Sequence, residues 1–169
     1  MTAVATPAAG LTPQHLALTL QYTVEAYKIF EKLAENLPNP MTRMIFKQFA
    51  ADERGNRDII EMKAAASGGN RVRVTLGADM IFNEILEGEM SYRESAEFLI
   101  AREKTMQKKL RELVNAATAA DRNFIIYLET VKRAHIVELE RELELIRGDA
   151  DWWKREDAEW RIVNGNPPA

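Results

Sequence analysis

The apolar residues of this chain recur at the three- and four-residue spacing of an amphipathic helix in four long segments. The pattern predicts helices over about 13–37, 41–66, 92–117 and 122–147. Each segment keeps its apolar residues on one side and its charged residues on the other, as expected of helices that pack around a shared core. The chain is therefore predicted to be an all-α protein built on four long helices.

Capping and breaking residues mark the predicted ends of these helices. They are Thr12 with Pro13, the run Pro38-Asn39-Pro40, the cluster Ser67-Gly68-Gly69-Asn70, the capping box of Ser91 and Glu94, Asp121 as an N-cap, and Gly148 as a stop. On the second helix the apolar face is predicted to pass through Ile45, Phe46, Phe49, Ile60 and Met62.

The lengths of the connections predict the topology. The links within the first and the second pair of helices are short, which favours two antiparallel hairpins. Between the hairpins lies a long crossover, about 67–92, with room for an extended connector at 72–74 and a short helix at 79–86. We expect a four-helix bundle over 13–147, with a flexible N-terminal arm at 1–12 and a C-terminal helix and tail at 148–169.

The two hairpins carry the same inward positions, which indicates an internal repeat. Their two sets of positions are Thr23, Ala26, Phe30, Leu33, Phe46, Phe49, Glu53 and Asn56 in the first, and Glu103, Met106, Leu110, Leu113, Ile125, Leu128, Lys132 and His135 in the second. Within each helix the steps are three, four and three residues. The offset is 80 residues from Thr23 to Glu103 and 79 from Glu53 to Lys132.

Composition excludes several classes of protein. The chain has no cysteine, so thiolate metal sites, disulfides and a cysteine nucleophile are ruled out. A net charge of −3 with interspersed signs argues against a nucleic-acid partner. No apolar run approaches the length of a membrane span, and the N-terminal residues do not form a signal peptide. We expect a soluble, cytoplasmic protein with neither a nucleic-acid nor a membrane partner.

The segments from Phe46 to Glu53 and from Ala96 to Glu103 resemble the ferritin-like superfamily, and rubrerythrin-type members in particular. The resemblance covers about 13–147. It implies a ferritin-like bundle in which two iron or manganese ions are held by one Glu from each of the first and third helices and a Glu-x-x-His from each of the other two. It also implies iron, oxygen or peroxide chemistry, and a homodimer or higher homo-oligomer.

Carried over position by position, the resemblance leaves half of the six ligands in place. Glu53, Glu103 and His135 match, whereas Thr23, Asn56 and Lys132 stand where the family has Glu, His and Glu. The losses fall on one ion, because Thr23 and Asn56 replace its private ligands. Glu25 is two residues from Thr23 and should point outward.

Two interpretations of this degenerate site stay open. In one, Glu53, Glu103 and His135, with Asn56 as a weak fourth ligand, hold a single iron, manganese or zinc ion. Lys132 then tunes the charge and delivers protons in an iron-dependent oxidoreductase acting on peroxide, oxygen or Fe(II). In the other, Lys132 pairs with the two glutamates, no metal binds, and the bundle serves assembly or partner binding.

The other candidates carry less chemistry. Tyr22, Tyr27 and Tyr127 are predicted to flank the site, as redox groups, hydrogen-bond partners or packing residues. His15 is predicted to be exposed and far from His135. Gly55 within the second helix suggests a close helix approach or a local bulge. Three tryptophans of the C-terminal segment, Trp152, Trp153 and Trp160, are expected to pack on the bundle or on a partner subunit.

Overall fold

Five α-helices make up the part of the chain that the structure, a computed structural model, describes, namely residues 10–67 and 90–165. They are α1 (Pro13–Asn36), α2 (Pro40–Ala66), α3 (Tyr92–Ala116), α4 (Ala119–Gly148) and α5 (Ala158–Asn164), with a 3₁₀ turn at Trp152–Lys154 before α5. The predicted bounds of the four long helices agree to within a few residues. The extended connector at 72–74 and the short helix at 79–86 lie outside the described residues.

Side-chain caps explain where three of these helices begin. Thr12, Asn39 and Ser91 each accept a hydrogen bond from a backbone N–H of the following turn. The prediction for α4 was wrong, because its N-cap is Thr118 and not Asp121. Asp121 lies in the first turn, where its carboxylate accepts from the Thr118 hydroxyl and stabilises the positive end of the helix.

Each hairpin packs along its length, α1 against α2 and α3 against α4. At one end of the bundle the beginnings of α1 and α4 and the end of α2 meet. Asp121 accepts a hydrogen bond from the backbone N–H of Leu11 at 3.2 Å, and its other oxygen lies 2.5 Å from Lys63 Nζ. Helix α2 therefore ends where α4 begins.

The opposite end joins the α1–α2 turn to the C-terminal segment and to the start of α3. Asn39 Nδ2 donates to the backbone carbonyl of Trp152 at 2.7 Å, and the rings of Tyr92 and Trp153 lie 5.4 Å apart. Because α2 ends at one end of the bundle and α3 begins at the other, α2 and α3 run parallel. The end of α2 and the start of α3, which the predicted crossover joins, therefore lie at opposite ends of the bundle.

The interior holds two hydrophobic clusters separated by a polar layer. The first cluster surrounds Trp153 and includes Phe30, Phe46 and Leu139, and the second includes Leu20 and Ile60. Buried polar residues lie between them on all four long helices. These residues are Thr23 on α1, Glu53 and Asn56 on α2, Glu103 on α3, and Lys132 and His135 on α4.

One residue that was predicted to lie on an apolar helix face is exposed. Met62 is 73% exposed, because it lies about 200° around α2 from the buried Ile60. Trp152 and Trp153 are buried against the bundle as predicted, and Trp160 on α5 is half exposed, so its packing on a partner subunit stays a prediction. In the described ranges, no helix has the combination of length and apolar composition that a bilayer crossing requires.

Candidate metal centre

The polar layer brings together the four side chains that the sequence singled out. Glu53, Glu103, Lys132 and His135 are each no more than 2% exposed. One carboxylate oxygen from each glutamate and one imidazole nitrogen lie within 4.8 Å of one another. Ligand atoms about 2.0–2.2 Å from a common ion lie no more than about 4.4 Å apart, so small side-chain movements would bring these three atoms to one ion. The buried Glu53, Glu103 and His135 group could therefore hold a metal ion.

Lys132 lies against both carboxylates. Its Nζ is 2.6 Å from Glu53 Oε1 and 3.3 Å from Glu103 Oε2. Burial favours the neutral amine, but Glu103 and Glu53 outweigh it and raise the pKa of Lys132. The ammonium is therefore a permanent positive charge inside the layer.

His135 is held at both ring nitrogens. Nδ1 lies 3.0 Å from Glu103 Oε2, and Nε2 lies 3.1 Å from Asp52 Oδ2. The ring lies tilted against Phe49 at a centroid distance of 4.1 Å and meets Phe30 edge to face at 5.7 Å. Two carboxylates and two aromatic rings thus fix the orientation of the imidazole, with Nδ1 directed into the polar layer.

The pKa values of the two glutamates are shifted in opposite directions. Burial tends to raise the pKa of Glu103, but Lys132 and the hydrogen bond with His135 lower it overall. For Glu53, burial outweighs the attraction of Lys132, and its pKa is raised. The difference follows from their partners, since Glu53 Oε2 has none whereas both oxygens of Glu103 are engaged.

The histidine also holds its proton more tightly than usual. Burial opposes a charge on His135, but hydrogen bonds to Asp52 and Glu103 outweigh it and raise the pKa of the imidazole. Three carboxyl groups, on Asp52, Glu53 and Glu103, face one ammonium and one imidazole. With all three carboxyl groups ionised, the group therefore lacks one positive charge even when His135 is protonated.

Two buried oxygens in the layer have no hydrogen-bond partner. They are Glu53 Oε2 and Asn56 Oδ1, on side chains no more than 1% exposed. Asn56 Nδ2 lies 3.4 Å from Glu53 Oε1, so the two side chains are adjacent. Buried acceptors without donors are costly, and a cation or a water molecule would satisfy both. This supports the fit of the layer to a cation.

The α1 side of the layer is closed by an aromatic residue. Thr23 is buried at the position predicted for it, and its neighbour Tyr22 lies over the layer. The Tyr22 ring contacts Lys132 Nζ at 5.4 Å and the Arg102 guanidinium at 4.3 Å. Its hydroxyl donates to the backbone carbonyl of Arg102. Burial, and to a lesser degree Glu103, raise the pKa of this hydroxyl.

Several other predicted residues lie elsewhere. Tyr27 donates to Glu31 and Tyr127 is 49% exposed, so of the three tyrosines Tyr22 is the one in contact with the polar layer. Glu25 stays out of the core, but it is largely covered by its ion pair with Arg102 instead of pointing to solvent.

Two smaller expectations were wrong. His15 is half-buried and not exposed, because its ring accepts a hydrogen bond from Thr12 N in the capping box of α1. Gly55 marks neither a close approach nor a bulge. A Cβ atom there would meet nothing within 4 Å, and α2 is continuous through it.

The sequence reasoning missed Asp52 and a second buried carboxylate, Glu142. Asp52 directly precedes Glu53, which places it about 100° around α2, on the side that faces α4. Glu142 accepts from the Thr42 hydroxyl at 2.8 Å and from the indole N–H groups of Trp152 and Trp153 at 3.2 and 2.9 Å. Its position seven residues after His135 on the buried stripe of α4 was the available signal.

Comparison of the chain with protein-family models, with curated proteins and with solved structures gave no significant match.

Proposed function

We propose that this chain is a metal-binding bundle of ferritin-like architecture in which Glu53, Glu103 and His135 hold one divalent ion. In this proposal Lys132 takes the place of the second cation of a two-ion site. The observation that carries this proposal is the pair of contacts made by His135. Its Nε2 is hydrogen-bonded to Asp52, and its Nδ1 faces the carboxylates of Glu103 and Glu53.

That arrangement of the histidine is typical of metal ligands. A ligating imidazole commonly donates its outer N–H to a carboxylate, which fixes the tautomer and makes the inner nitrogen more basic. Asp52 Oδ2 is placed to accept that proton from Nε2 at 3.1 Å. Nδ1, which lies in a hydrogen bond with Glu103 Oε2 at 3.0 Å, would exchange that hydrogen for an ion between Glu103 and Glu53.

The charge of the layer supports a cation despite the nearby ammonium. At about 5 Å and an effective dielectric near 20, each pair of unit charges interacts by about 3 kcal/mol. Lys132 thus repels a divalent ion by roughly twice that amount. The carboxylates of Glu53 and Glu103 attract it by as much each, and Asp52 adds a partly screened attraction. The balance favours binding, although more weakly than without Lys132.

The architecture supports the ferritin-like assignment. That superfamily has two antiparallel hairpins with α2 parallel to α3, so that the connection between the hairpins joins opposite ends of the bundle. The internal repeat is also consistent with it, because residues from corresponding positions of both hairpins line the polar layer.

A bound iron or manganese ion would supply one-electron redox chemistry towards oxygen or peroxide, and we propose an iron-dependent oxidoreductase of that kind. The protein's own part is to orient the ligands through Asp52 and the aromatic rings, to exclude water, and to hold a proton at Lys132 Nζ. With a raised pKa, Lys132 serves as a charge-balancing donor and not as a base.

A second candidate function rests on the close contact between Lys132 and Glu53. At 2.6 Å, with both groups buried, this ion pair satisfies much of the layer without a metal. The bundle would then be a metal-free scaffold for assembly or partner binding. The unpartnered Glu53 Oε2 and Asn56 Oδ1 make this alternative less favourable.

Metal titration distinguishes the two candidates. The metal-stripped protein at pH 8 should bind one Co(II), Mn(II) or anaerobic Fe(II) ion per chain by spectroscopic titration and elemental analysis. His135→Ala and Glu103→Gln should abolish binding. Glu142→Gln, which alters the other buried carboxylate, should not. A wild-type protein that takes up no ion at millimolar metal would exclude the metal site.

A variant with the missing ligands restored tests the alignment of the repeat. Thr23→Glu, Asn56→His and Lys132→Glu together should raise the stoichiometry from one ion to two. A folded triple variant that still binds no second ion would show that Thr23 and Asn56 do not occupy ligand positions.

A further inference from the structure

We infer that ions enter the layer through the face between α2 and α4, with the carboxylate of Asp52 as the outermost ligand. This inference rests on the proposed metal site and adds the path by which that site is filled. It begins from the one member of the hydrogen-bonded group around His135 that touches solvent. The Asp52 side chain is 32% exposed, whereas those of Glu53, Glu103, Lys132 and His135 are no more than 2% exposed.

Among the residues that the structure describes, packed apolar side chains cover the layer towards both ends of the bundle. Towards Trp153 the layer is covered by Phe30, Phe46 and Phe49, whose ring centroids lie 5.2–5.9 Å apart. Towards the other end it is covered by a cluster of buried aliphatic side chains. That cluster includes Leu20, Ile60, Met106, Ile125 and Leu128.

The lateral faces differ from one another. Within each hairpin the helices pack along their length. Between α1 and α3 the Tyr22 ring covers Lys132, and the Tyr22 hydroxyl and the Glu25–Arg102 ion pair fasten it there. Between α2 and α4 the cover is a carboxylate that only hydrogen bonds hold in place, to His135 and to Gln48 Nε2 at 2.8 Å.

Oxygen atoms line the way inward from Asp52. Asn56 lies one helical turn further along α2 and therefore on nearly the same side. Its Oδ1 and the adjacent Glu53 Oε2 are the buried oxygens without partners. An ion passing from Asp52 to Asn56 and then to Glu53 would exchange one oxygen ligand for another, which suits a hard cation.

Glu138 and Gln48 frame this face, and with Asp52 they define what we term the α2–α4 opening. Glu138 lies three residues after His135 on α4 and is partly buried. Because helical side chains point towards the N-terminus of the helix, the Glu138 side chain is directed back over the turn that carries His135. Val137 is its immediate neighbour but is 58% exposed. A bulky residue at position 138 would therefore lie in the opening, and the same residue at position 137 would lie outside it.

The experiment measures Co(II) association and dissociation by stopped flow, the latter on mixing loaded protein with excess EDTA. Glu138→Trp should slow both rates by about tenfold or more while the dissociation constant stays the same, since an obstruction on the path changes kinetics without changing the bound state. Val137→Trp should leave both rates unchanged. Glu138→Gln removes the charge without adding bulk and should slow both rates much less than Glu138→Trp does.

A complementary variant tests the cover itself. Gln48→Ala removes one hydrogen bond from Asp52 and should speed both rates together. Equal rates in Glu138→Trp and Val137→Trp, with no acceleration in Gln48→Ala, would overturn this path and leave the metal site intact. Failure of the wild type to bind Co(II) would overturn the metal site and the path with it.

Discussion

This bundle buries carboxylates in two places, and the carboxylates of each place are stabilised by different kinds of partner. At the Trp153 end, Glu142 Oε2 receives three neutral donors, from Thr42, Trp152 and Trp153, and no cation. In the central layer, Glu53 and Glu103 face the charges of Lys132 and His135. The first cluster joins three segments of chain and leaves none of its buried side-chain atoms without a partner. The second joins three helices and leaves oxygens without partners.

The contrast between the two clusters indicates which buried carboxylates need a further ligand. Neutral donors can satisfy a single carboxylate, so Glu142 is explained by the structure that it holds together. Paired carboxylates with open oxygens and too little positive charge are not explained in that way.

Removing the central ammonium should have the largest effect. In the presence of EDTA, Lys132→Met should lower the free energy of unfolding by about 3–5 kcal/mol, because two buried carboxylates lose their partner. Added Co(II) should restore the stability, and the affinity for Co(II) should rise by roughly two decades or more because the repulsion is gone. Chemical denaturation and metal titration measure the two quantities.

Lys104→Met is the matched control for Lys132→Met. Lys104 also pairs with a glutamate at 2.6 Å, but it is 53% exposed, so its loss should cost less than about 1 kcal/mol. If Lys132→Met were destabilised and metal did not rescue it, the metal-free ionic core would be the better description of the layer.

Removing Glu142 from the cluster at the Trp153 end should lower the free energy of unfolding by less than Lys132→Met does. It should not change the affinity for metal. Glu142→Ala leaves the Thr42 hydroxyl and two indole N–H groups without an acceptor, which predicts a loss of about 1–3 kcal/mol. Tryptophan fluorescence should shift to the red as Trp152 and Trp153 loosen. Unchanged Co(II) affinity is expected, and a large drop would show that the two clusters are not independent.

Changes of pH should alter the stability of the protein by smaller amounts than these substitutions do. They should nevertheless distinguish the two clusters, because Glu142 and His135 titrate in different pH ranges. Burial raises the pKa of Glu142 above 4.5, so its contribution to stability is present below that pH and is lost as the pH rises through the folded value. The pKa of His135 is raised above 6.5, so its contribution is present below pH 6.5 and is lost at higher pH.

Urea midpoints in EDTA between pH 4.5 and 9 measure both effects. The advantage of the wild type over Glu142→Gln should decline from pH 4.5 upwards, and its advantage over His135→Gln should decline only above pH 6.5. Identical profiles for the two variants would contradict the assignment of separate titrating groups.

Much of the fold could be predicted because helix periodicity and capping residues act locally. The inward positions repeat in both hairpins, and the structure buries Thr23, Glu53, Glu103 and His135 as predicted. Gly55 and Met62 were misassigned although the helical period was sufficient, since Gly55 lies about 200° around α2 from the buried Glu53. Asp121 resembled an N-cap because the first turn and the cap favour the same acidic residue.

The site was predicted less completely because its outer partners depend on which helices are neighbours. Periodicity identifies the side of α2 that faces the core, but it does not say that Asp52 meets His135 across the α2–α4 border. Glu142 was missed for a related reason. Its donors, Trp152 and Trp153, come from a segment without a helical repeat, whose course no local pattern indicates.

The hydrogen bonds of Asn39 have a consequence for synthesis of the chain on the ribosome. The turn between α1 and α2 is completed by Trp152 and Trp153, whose carbonyls accept from the Asn39 side chain and backbone N–H. The side-chain bond spans 113 residues of sequence. Until translation has reached these tryptophans, the α1–α2 turn of the first hairpin therefore lacks its hydrogen-bond partners. During that interval this end of the hairpin is open to chaperone binding.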